Sequence, residues 1–301
     1  RPQAWAKNIM SVGGVIHNNT LTRDDDRHGG SGGSTGPAQD GRIKPDLSHF
    51  YDSTTAATTG GAGSYTQFGG TSGATPITAG HVGLFYQMWS ENVFGTAPVP
   101  GGTVFENRPV SSTTKAMMVN TALQYDFVGT SADKNRVRQG WGLADVGKLY
   151  DERERFFIVD ASEPITPLAV TQYQLNVAGD EPDLRITMAY RDPSGTTSAT
   201  KHRINDLTLK VTSPPGDVYW GNNGLSEGNF STPGGSANDV DTVENVFVSA
   251  PEGGVWVVEI IADEINQDGN PATAELDAVY SLVAAGVTPS IGISLLSDVP
   301  D

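Results

Sequence analysis

The sequence predicts an α/β part over residues 1–152, then an all-β domain of the jelly-roll or sandwich type over residues 156–287, and a tail or linker over residues 288–301. Three observations predict this division. The first part mixes glycine-rich loops with two stretches of helical periodicity, whereas the second consists of short stretches in which apolar and polar residues alternate. The balance of charge also changes at the charged run 151–155. Residues 1–155 carry 14 acidic and 14 basic side chains, but residues 156–301 carry 21 acidic and 5 basic ones.

Two helices are predicted in the first part. After residues 70–76, apolar or semi-polar side chains recur at the spacing of one helix face, which we expect to be buried: Ile77, His81, Leu84, Phe85 and Met88. A second helix is predicted over residues 115–123. Helices between glycine-rich loops are typical of α/β proteins.

Alternation predicts strands in the second part, each with one buried face. The residues that share such faces are Leu184, Ile186, Met188 and Tyr190; Leu207, Leu209 and Val211; Val246 and Val248; and Trp256, Val258 and Ile260. Turn sequences at 214–217 and 251–254 separate strands. Short strands at this spacing predict an antiparallel sandwich or jelly roll.

Composition excludes several classes of function. The chain has 301 residues, 37% of them hydrophobic, which is enough for packed cores. It has no cysteine, so disulfides, thiolate metal sites and a cysteine nucleophile are excluded. A net charge of −16 disfavours nucleic-acid binding. The longest apolar run, residues 255–261, is interrupted by Glu259 and too short to cross a bilayer, so we expect no membrane partner.

The segment 70–76 places a lone serine, Ser72, immediately before the first predicted helix. With Thr71 as the N-cap, free backbone N–H groups and the helix dipole converge on Ser72 and favour negative charge beside its oxygen. An acyl-transfer nucleophile needs that environment, although an ordinary structural cap would have the same spacing. The G-x-S-x-G signature does not fit, because Ala74 stands where its second glycine belongs.

Residues 68–80 closely resemble the nucleophile segment of the subtilases, the subtilisin-like serine peptidases, whose usual form is G-T-S-[MA]-A-[TS]-P followed by an apolar residue and A-G. Three further segments resemble the same family in the expected order. Residues 2–14 are similar to its "PA…A.NVI.VGA" strand, residues 36–46 to its "RGP..DGRIKPD" loop, and residues 139–142 to its "QGWG". Gly73 departs from the family, which commonly has a larger residue there.

The second part resembles the alkaline subtilase branch that carries an additional β-barrel or jelly-roll domain. Residues 204–209 are similar to "VNDLDL", residues 219–223 to "YVGND" and residues 243–248 to "NNVENVFI". The resemblance implies that residues 1–152 are the C-terminal portion of a doubly wound parallel sheet.

The resemblance also implies a catalytic role for Ser72, as the nucleophile and through its backbone N–H in the oxyanion hole, with Thr71 supporting the site. The family's catalytic aspartate, histidine and oxyanion asparagine lie in segments of the type D-[ST]-G, H-G-T-H and A-A-G-N, and none of these strings occurs in the chain. We therefore expect them in a segment upstream of residue 1, which becomes an expected partner. Of the five histidines, His81 is interpreted as a helix-face residue and His28 as a solvated loop residue.

Acidic and amide side chains gather in the second part, and hard oxygen ligands of this kind suit Ca²⁺, which the resembled family often binds. The candidate ligands are Asp206, Asn222, Asp239, Asp241 and Glu244. A solvated acidic loop is the alternative, since no complete EF-hand spacing occurs.

Two functions of different classes follow. The first is a secreted, extracellular serine endopeptidase that hydrolyses protein or peptide substrates through an acyl-enzyme on Ser72, with this chain nearly inactive alone. The alternative is a catalytically inactive binding or scaffold protein on a protease fold, with an acidic β-domain.

Overall fold

The computed structural model describes residues 2–28, 33–96, 99–127 and 135–288. The first part opens with a 3-10 helix over Pro2–Trp5. Its described residues then form four strands and four helices: β1 (Val12–Val15), β2 (Leu47–Phe50), β3 (Thr54–Ala57), β4 (Tyr65–Phe68), α1 (Thr71–Ser90), α2 (Ser111–Asn120), α3 (Arg136–Gln139) and α4 (Val146–Asp151).

Strands β1 and β2 form a parallel pair, with Val12 opposite Leu47 and Val15 opposite Phe50. Three residues of each strand are buried, as is typical of parallel strands that are covered on both faces. The antiparallel hairpin β3–β4 follows β2 and leads directly into α1. Where the hairpin ends, the N–H of Gly70 donates to the carbonyl of Tyr51, 2.6 Å away. The start of α1 is thereby fixed at the carboxyl end of β2.

The second part contains eight strands: β5 (Phe156–Ile165), β6 (Val170–Val177), β7 (Asp183–Tyr190), β8 (Asp206–Thr212), β9 (Val218–Trp220), β10 (Val243–Ser249), β11 (Gly254–Glu264) and β12 (Ala278–Ala285). They form two four-stranded sheets in the orders β10-β7-β12-β5 and β6-β11-β8-β9. Every pairing within these sheets is antiparallel.

One hydrophobic core lies between the two sheets, with residues from both in the same cluster. Leu184, Leu209, Val246 and Trp256 are all at most 1% exposed. The buried faces predicted from alternation are confirmed, because each predicted strand contributes its apolar residues to this core. The chain is thus a mixed α and β protein with two antiparallel sheets packed face to face.

A second core joins the two parts of the chain. Helix α2 packs against β5, β7 and β12, and its Met117 lies in one cluster with Phe247 and Val283. Asn120, at the end of α2, donates from Nδ2 to the carbonyl oxygens of Arg185 and Val283, at 3.0 and 3.3 Å. The first part therefore rests on the outer face of one sheet of the second.

Helix α4 ends at Asp151 and β5 begins at Phe156. The division of the chain into domains at residues 152 and 156 stays a prediction. Of the predicted tail 288–301, Thr288 donates its N–H to the carbonyl of Asn176 at 2.9 Å, and residues 289–301 lie outside the described residues.

Both predicted helices exist, but the buried face of α1 differs from the prediction. Leu84 is 51% exposed, whereas the buried residues are Gly73, Ala74, Thr78, Phe85 and Trp89. Small residues in the first two turns allow close approach to β1 and β2, so the contacting face begins at Ala74 and not at Ile77. None of the described helices has the length and apolar character needed to span a membrane.

Candidate active site

Ser72 is the second residue of α1 and is exposed. The residue before the helix is Gly70, with φ 82° and ψ 175°, and this backbone conformation is open almost only to glycine. The prediction that Thr71 is the N-cap is wrong: Thr71 is already helical, and Gly70 takes the capping position without a side-chain hydrogen bond. Thr71 instead accepts, through its carbonyl, a 2.8 Å hydrogen bond from the Thr75 hydroxyl.

The first turn of α1 leaves Ser72 with its polar groups available. The N–H groups of Gly73 and Ala74 donate to the carbonyl of Gly70, at 2.8 and 3.3 Å. Within the described ranges, neither the hydroxyl nor the backbone N–H of Ser72 makes a hydrogen bond. A free N–H at the start of a 20-residue helix, reinforced by the helix dipole, can stabilise a negatively charged oxygen beside Ser72.

A cavity of about 390 Å³ lies beside the same helix end. Thr71 and Thr75 of α1 line it, together with Trp5, Ser11 and Lys44. The cavity therefore combines an aromatic ring, hydroxyl groups and an ammonium group next to the exposed serine. Such a mixture is typical of sites that bind a ligand by shape and by a few oriented polar contacts.

No histidine or carboxylate of the described residues forms a hydrogen bond with Ser72. A histidine and a carboxylate do pair elsewhere in the first part: Nδ1 of His17 lies 2.8 Å from Oδ1 of Asp52. His17 follows β1, Asp52 follows β2, and the imidazole stacks on Phe50 at 4.4 Å between ring centroids. No sequence motif predicts this pair, because its members are 35 residues apart.

Two other histidines, one on α1 and one on β2, contact each other. His81 lies half-buried on α1, as a helix-face residue, with its ring centroid 5.2 Å from that of His49 on β2. His28 is buried, at 5% exposure, so its interpretation as a solvated loop residue is wrong.

A buried ion cluster lies next to the cavity, which Lys44 lines. Asp46 lies between Lys44 and Lys115, with N–O distances of 2.6 and 2.9 Å, and all three side chains are less than 10% exposed. Burial alone would raise the pKa of Asp46, but Lys115 and Lys44 outweigh it and lower the pKa to about 2. Burial, and then repulsion from Lys115, lowers the pKa of Lys44 to about 8. The contact of Lys115, on α2, with Asp46 was not predicted from the sequence.

Three of the five predicted calcium ligands, Asn222, Asp239 and Asp241, already have partners within the protein, and Asn222 donates from Nδ2 to Asp241 at 3.3 Å. Asp239 is paired with Lys201 at 2.5 Å and its side chain is 64% exposed. Asp241 accepts from the N–H of Ile43 at 2.8 Å, and the Oδ1 of Asn222 accepts from the N–H of Asn245 at 2.9 Å. In the described part of the chain, no group of three His, Cys, Asp or Glu side chains is placed to hold a metal ion. That these five residues bind calcium therefore stays a prediction.

Glu244 and Asp206 differ from the other three candidate ligands because each has a buried carboxyl oxygen that accepts no hydrogen bond from the described residues. Glu244 is fully buried, and its Oε2 accepts from the N–H of Leu209 at 2.8 Å. One oxygen of each carboxyl group, Oε1 of Glu244 and Oδ1 of Asp206, is buried without a hydrogen-bond partner in the described structure. Burial raises the pKa of Glu244 well above its ordinary value and that of Asp206 to about 6.

Residues 2–142 match the subtilase family. This match ends just after Trp141, so it covers the segment of Ser72, the ion cluster at Asp46 and the parallel pair β1–β2. No curated protein matches the chain in sequence.

Two solved structures resemble the chain more loosely. A serine protease of Aeromonas sobria shares 12% sequence identity at a TM-score of 0.30, over 92% of this chain and 57% of that one. A lipase of Bacillus licheniformis in its propeptide form shares 12% identity at a TM-score of 0.25, over 45% of this chain and 22% of that one. These TM-scores are too low for either likeness to bear on the site. The chain spans little more than half the length of the first structure and less than a quarter of the second.

The subtilase match and the geometry of the site both point to Ser72. Within the matched range, Ser72 is the serine at the exposed start of a long helix, beside a cavity and with a free N–H. The match supports a serine peptidase in general terms.

Proposed function

We propose that the chain is the downstream part of a subtilisin-like serine endopeptidase in which Ser72 is the nucleophile. One observation carries the proposal: Ser72 stands exposed at the N-terminus of α1, with its hydroxyl and N–H uncommitted, inside the range that matches the subtilase family.

The proposed reaction proceeds through an acyl-enzyme. The Oγ of Ser72 attacks the carbonyl carbon of the peptide, and its proton passes to the imidazole of a histidine in the upstream segment. The carbonyl oxygen becomes an oxyanion that the Ser72 N–H and an upstream asparagine stabilise. The histidine returns the proton to the leaving amine, and water then hydrolyses the ester so that Ser72 is regenerated. Thr71 orients the first turn through its contact with Thr75.

The upstream segment has a surface on which to dock. In the described ranges β1 has only β2 as a paired strand, so backbone groups along its other edge are open to a further strand. A cavity of about 310 Å³ lies beside it, lined largely by apolar side chains such as Met10, Val82 and Tyr86. We propose that the upstream segment continues the β1–β2 pair into a doubly wound parallel sheet and covers this cavity.

The test compares three proteins against a casein substrate: this 301-residue chain, the same chain joined to the sequence encoded upstream of it, and the joined chain with Ser72→Ala. We expect activity only in the second. Ser53→Ala in the joined chain is the matched control and is expected to keep its activity. An active Ser72→Ala variant would disprove the assignment.

One observation favours the alternative of an inactive scaffold on a protease fold: no described histidine or carboxylate contacts Ser72. The coding sequence upstream separates the two possibilities. Intact D-[ST]-G and H-G-T-H segments support the peptidase, and their loss or substitution supports the scaffold.

For the second part we propose a jelly roll, supported by the sheet orders β5-β12-β7-β10 and β6-β11-β8-β9. Sequential strands alternate between these two sheets except for β8 and β9, which pair in the same sheet. We also propose that the protein acts outside the cell on protein or peptide substrates, and that it binds neither nucleic acid nor membranes. The net charge of −16 supports the expectation that nucleic acid is not bound, and the absence of cysteine is compatible with an extracellular location.

Calcium remains a proposal, now centred on Glu244 and Asp206. Their buried oxygens without partners are groups that a cation would satisfy, and the cation would keep both carboxyl groups ionised. The melting temperature of the chain is the readout: EDTA should lower it and Ca²⁺, but not Na⁺ at equal ionic strength, should restore it. Glu244→Gln should remove the response. An unchanged melting temperature in EDTA would show that Glu244 is instead buried as a neutral acid.

A further inference from the structure

Two imidazole rings, those of His49 on β2 and His81 on α1, lie side by side in the first part. Their centroids are 5.2 Å apart and their planes are tilted by 52°. His49 is 7% exposed and His81 is half-buried. Neither residue takes part in the proposed catalytic reaction.

Each ring accepts a hydrogen bond from the backbone. The N–H of Phe50 donates to Nδ1 of His49 at 2.9 Å, and the N–H of Val146 donates to Nδ1 of His81 at 3.2 Å. A backbone N–H can only donate, so Nδ1 of each ring carries a lone pair and the proton of the neutral ring is on Nε2. This tautomer leaves no lone pair on either Nε2, which disfavours metal binding by the two rings.

The surroundings of the two rings disfavour a positive charge. The titratable groups that face them are His17, itself paired with Asp52, and Asp145 at the start of α4. Burial, and then repulsion from His81 and His17, lowers the pKa of His49 to about 4, which Asp145 only partly opposes. Burial also lowers the pKa of His81, again against the attraction of Asp145.

The bond from Val146 to His81 joins two elements with different roles. Val146 is the first residue of α4, which leads through residues 152–155 into the first strand of the β-sandwich. His81 is on α1, which begins beside Ser72. The bond therefore fastens the start of the connection between the two parts to the helix that carries the serine.

We propose that His49, His81 and their two N–H donors form an acid-sensitive latch between α1, β2 and α4. A proton from solvent that binds Nδ1 replaces an acceptor by a donor, so the bond from Val146 or Phe50 is lost. When both rings are protonated, two positive charges face each other across 5.2 Å. In acid the latch opens and α4 loosens from α1.

The direction of the pH dependence follows from the lowered pKa of His49. The unfolded chain binds a proton near pH 6.5, whereas the folded chain does so only near a pKa of about 4. The contribution to stability is complete above pH 6.5 and is lost as the pH falls towards 4. The equilibrium constant for folding should decrease by up to ~300-fold over this window through His49 alone.

Hydrogen exchange of the full 301-residue chain, read by mass spectrometry on a peptide spanning residues 146–155, tests the latch. The variant is His81→Asn, because the Oδ1 of asparagine lies close to the position of Nδ1 and accepts a hydrogen bond but does not titrate. At pH 4.5 we expect the unmodified chain to exchange ~10-fold faster than the variant in this peptide, and at pH 7.5 equally fast. A peptide from β7 is the internal control and should show no difference at either pH.

Equal exchange of the two proteins in residues 146–155 at pH 4.5 would overturn the proposal. A second measurement does not depend on the variant: NMR titration of the Hε1 protons of His49 and His81 in the unmodified chain. We expect both midpoints below 6.5 and that of His49 below 5. Midpoints near 6.5 for both rings would mean that protonation does not oppose the two backbone bonds, and the latch would be wrong.

Discussion

Asp46→Asn removes a carboxylate that neutralises two buried ammonium groups. Asp46 accepts from Lys44 at 2.6 Å, lies 2.9 Å from the Nζ of Lys115, and accepts from the N–H of Ser11 at 2.7 Å. Removal of one partner from a buried ion pair costs about 3–5 kcal/mol, because a charge remains without compensation. Here two charges remain, so we expect a loss of folding free energy in at least the upper half of that range.

The lowered pKa of Asp46 also predicts how the folding stability depends on pH. The pKa of Asp46 is lowered from 3.8 to about 2, which corresponds to about 2 kcal/mol of stability. For a carboxyl group with a lowered pKa, this stability is present above pH 3.8 and is lost as the pH falls towards 2. The unmodified chain should therefore lose about 2 kcal/mol more than Asp46→Asn over that interval.

Urea unfolding followed by tryptophan fluorescence measures both effects. Asp239→Asn is the matched control, since Asp239 pairs with Lys201 on the surface and is expected to change stability by less than about 1 kcal/mol. The triple change Lys44→Met, Asp46→Leu and Lys115→Met should recover much of the loss. If Asp46→Asn costs no more than Asp239→Asn, the account of this cluster is wrong.

Two further predictions concern α1. Phe85→Ala should destabilise the chain by about 3–5 kcal/mol, because Phe85 is fully buried between Trp89 and Phe94. Leu84→Ala should cost less than about 1 kcal/mol, because Leu84 is exposed. Equal losses of stability in thermal unfolding would contradict the observed buried face of α1. Gly70→Ala should cost about 1–3 kcal/mol because of the φ of 82° at this position. Gly73→Ala should stabilise the chain by up to about 1 kcal/mol, because alanine has the higher helix propensity and its Cβ would meet Phe68 at an ordinary contact distance of 3.5 Å. A destabilised Gly73→Ala variant would show that this contact is too tight.

The strands were predictable because alternation is a strictly local pattern. In β7 and β11, the residues of one face are buried whatever the order of strands in the sheet, so Leu184 and Trp256 could be placed without knowledge of the topology. The parallel pair β1–β2 carried no comparable signal, since each strand has only four residues and the sequences VGGV and LSHF show no alternation. It became visible only through the resemblance to subtilases.

The face of α1 was misjudged for a physical reason. Size and apolarity favoured Leu84, but the close contact with β1 and β2 is made by small residues, Ala74 and Thr78, and the buried face follows them to Phe85. The cap was misjudged because the turn before α1 requires a positive φ, which glycine adopts readily, so Gly70 and not Thr71 takes the capping position.

Long-range polar contacts could not be predicted at all. The contacts of Asp46 with Ser11 and of His81 with Val146 join residues 35 and 65 positions apart, and no periodicity encodes them. Ser72 differs, because a local motif placed it at the start of a helix and the helix does begin there.

The central claim is that Ser72 is a nucleophile, and the most direct measurement is the position of a covalent adduct. The protein made from its complete coding sequence is treated with a fluorophosphonate, digested, and analysed by mass spectrometry, with Ser72→Ala treated in parallel. The account predicts a single phosphonyl adduct on Ser72 and none in the variant. An adduct on another serine, or an unlabelled Ser72 in a preparation that cleaves peptides, would contradict it.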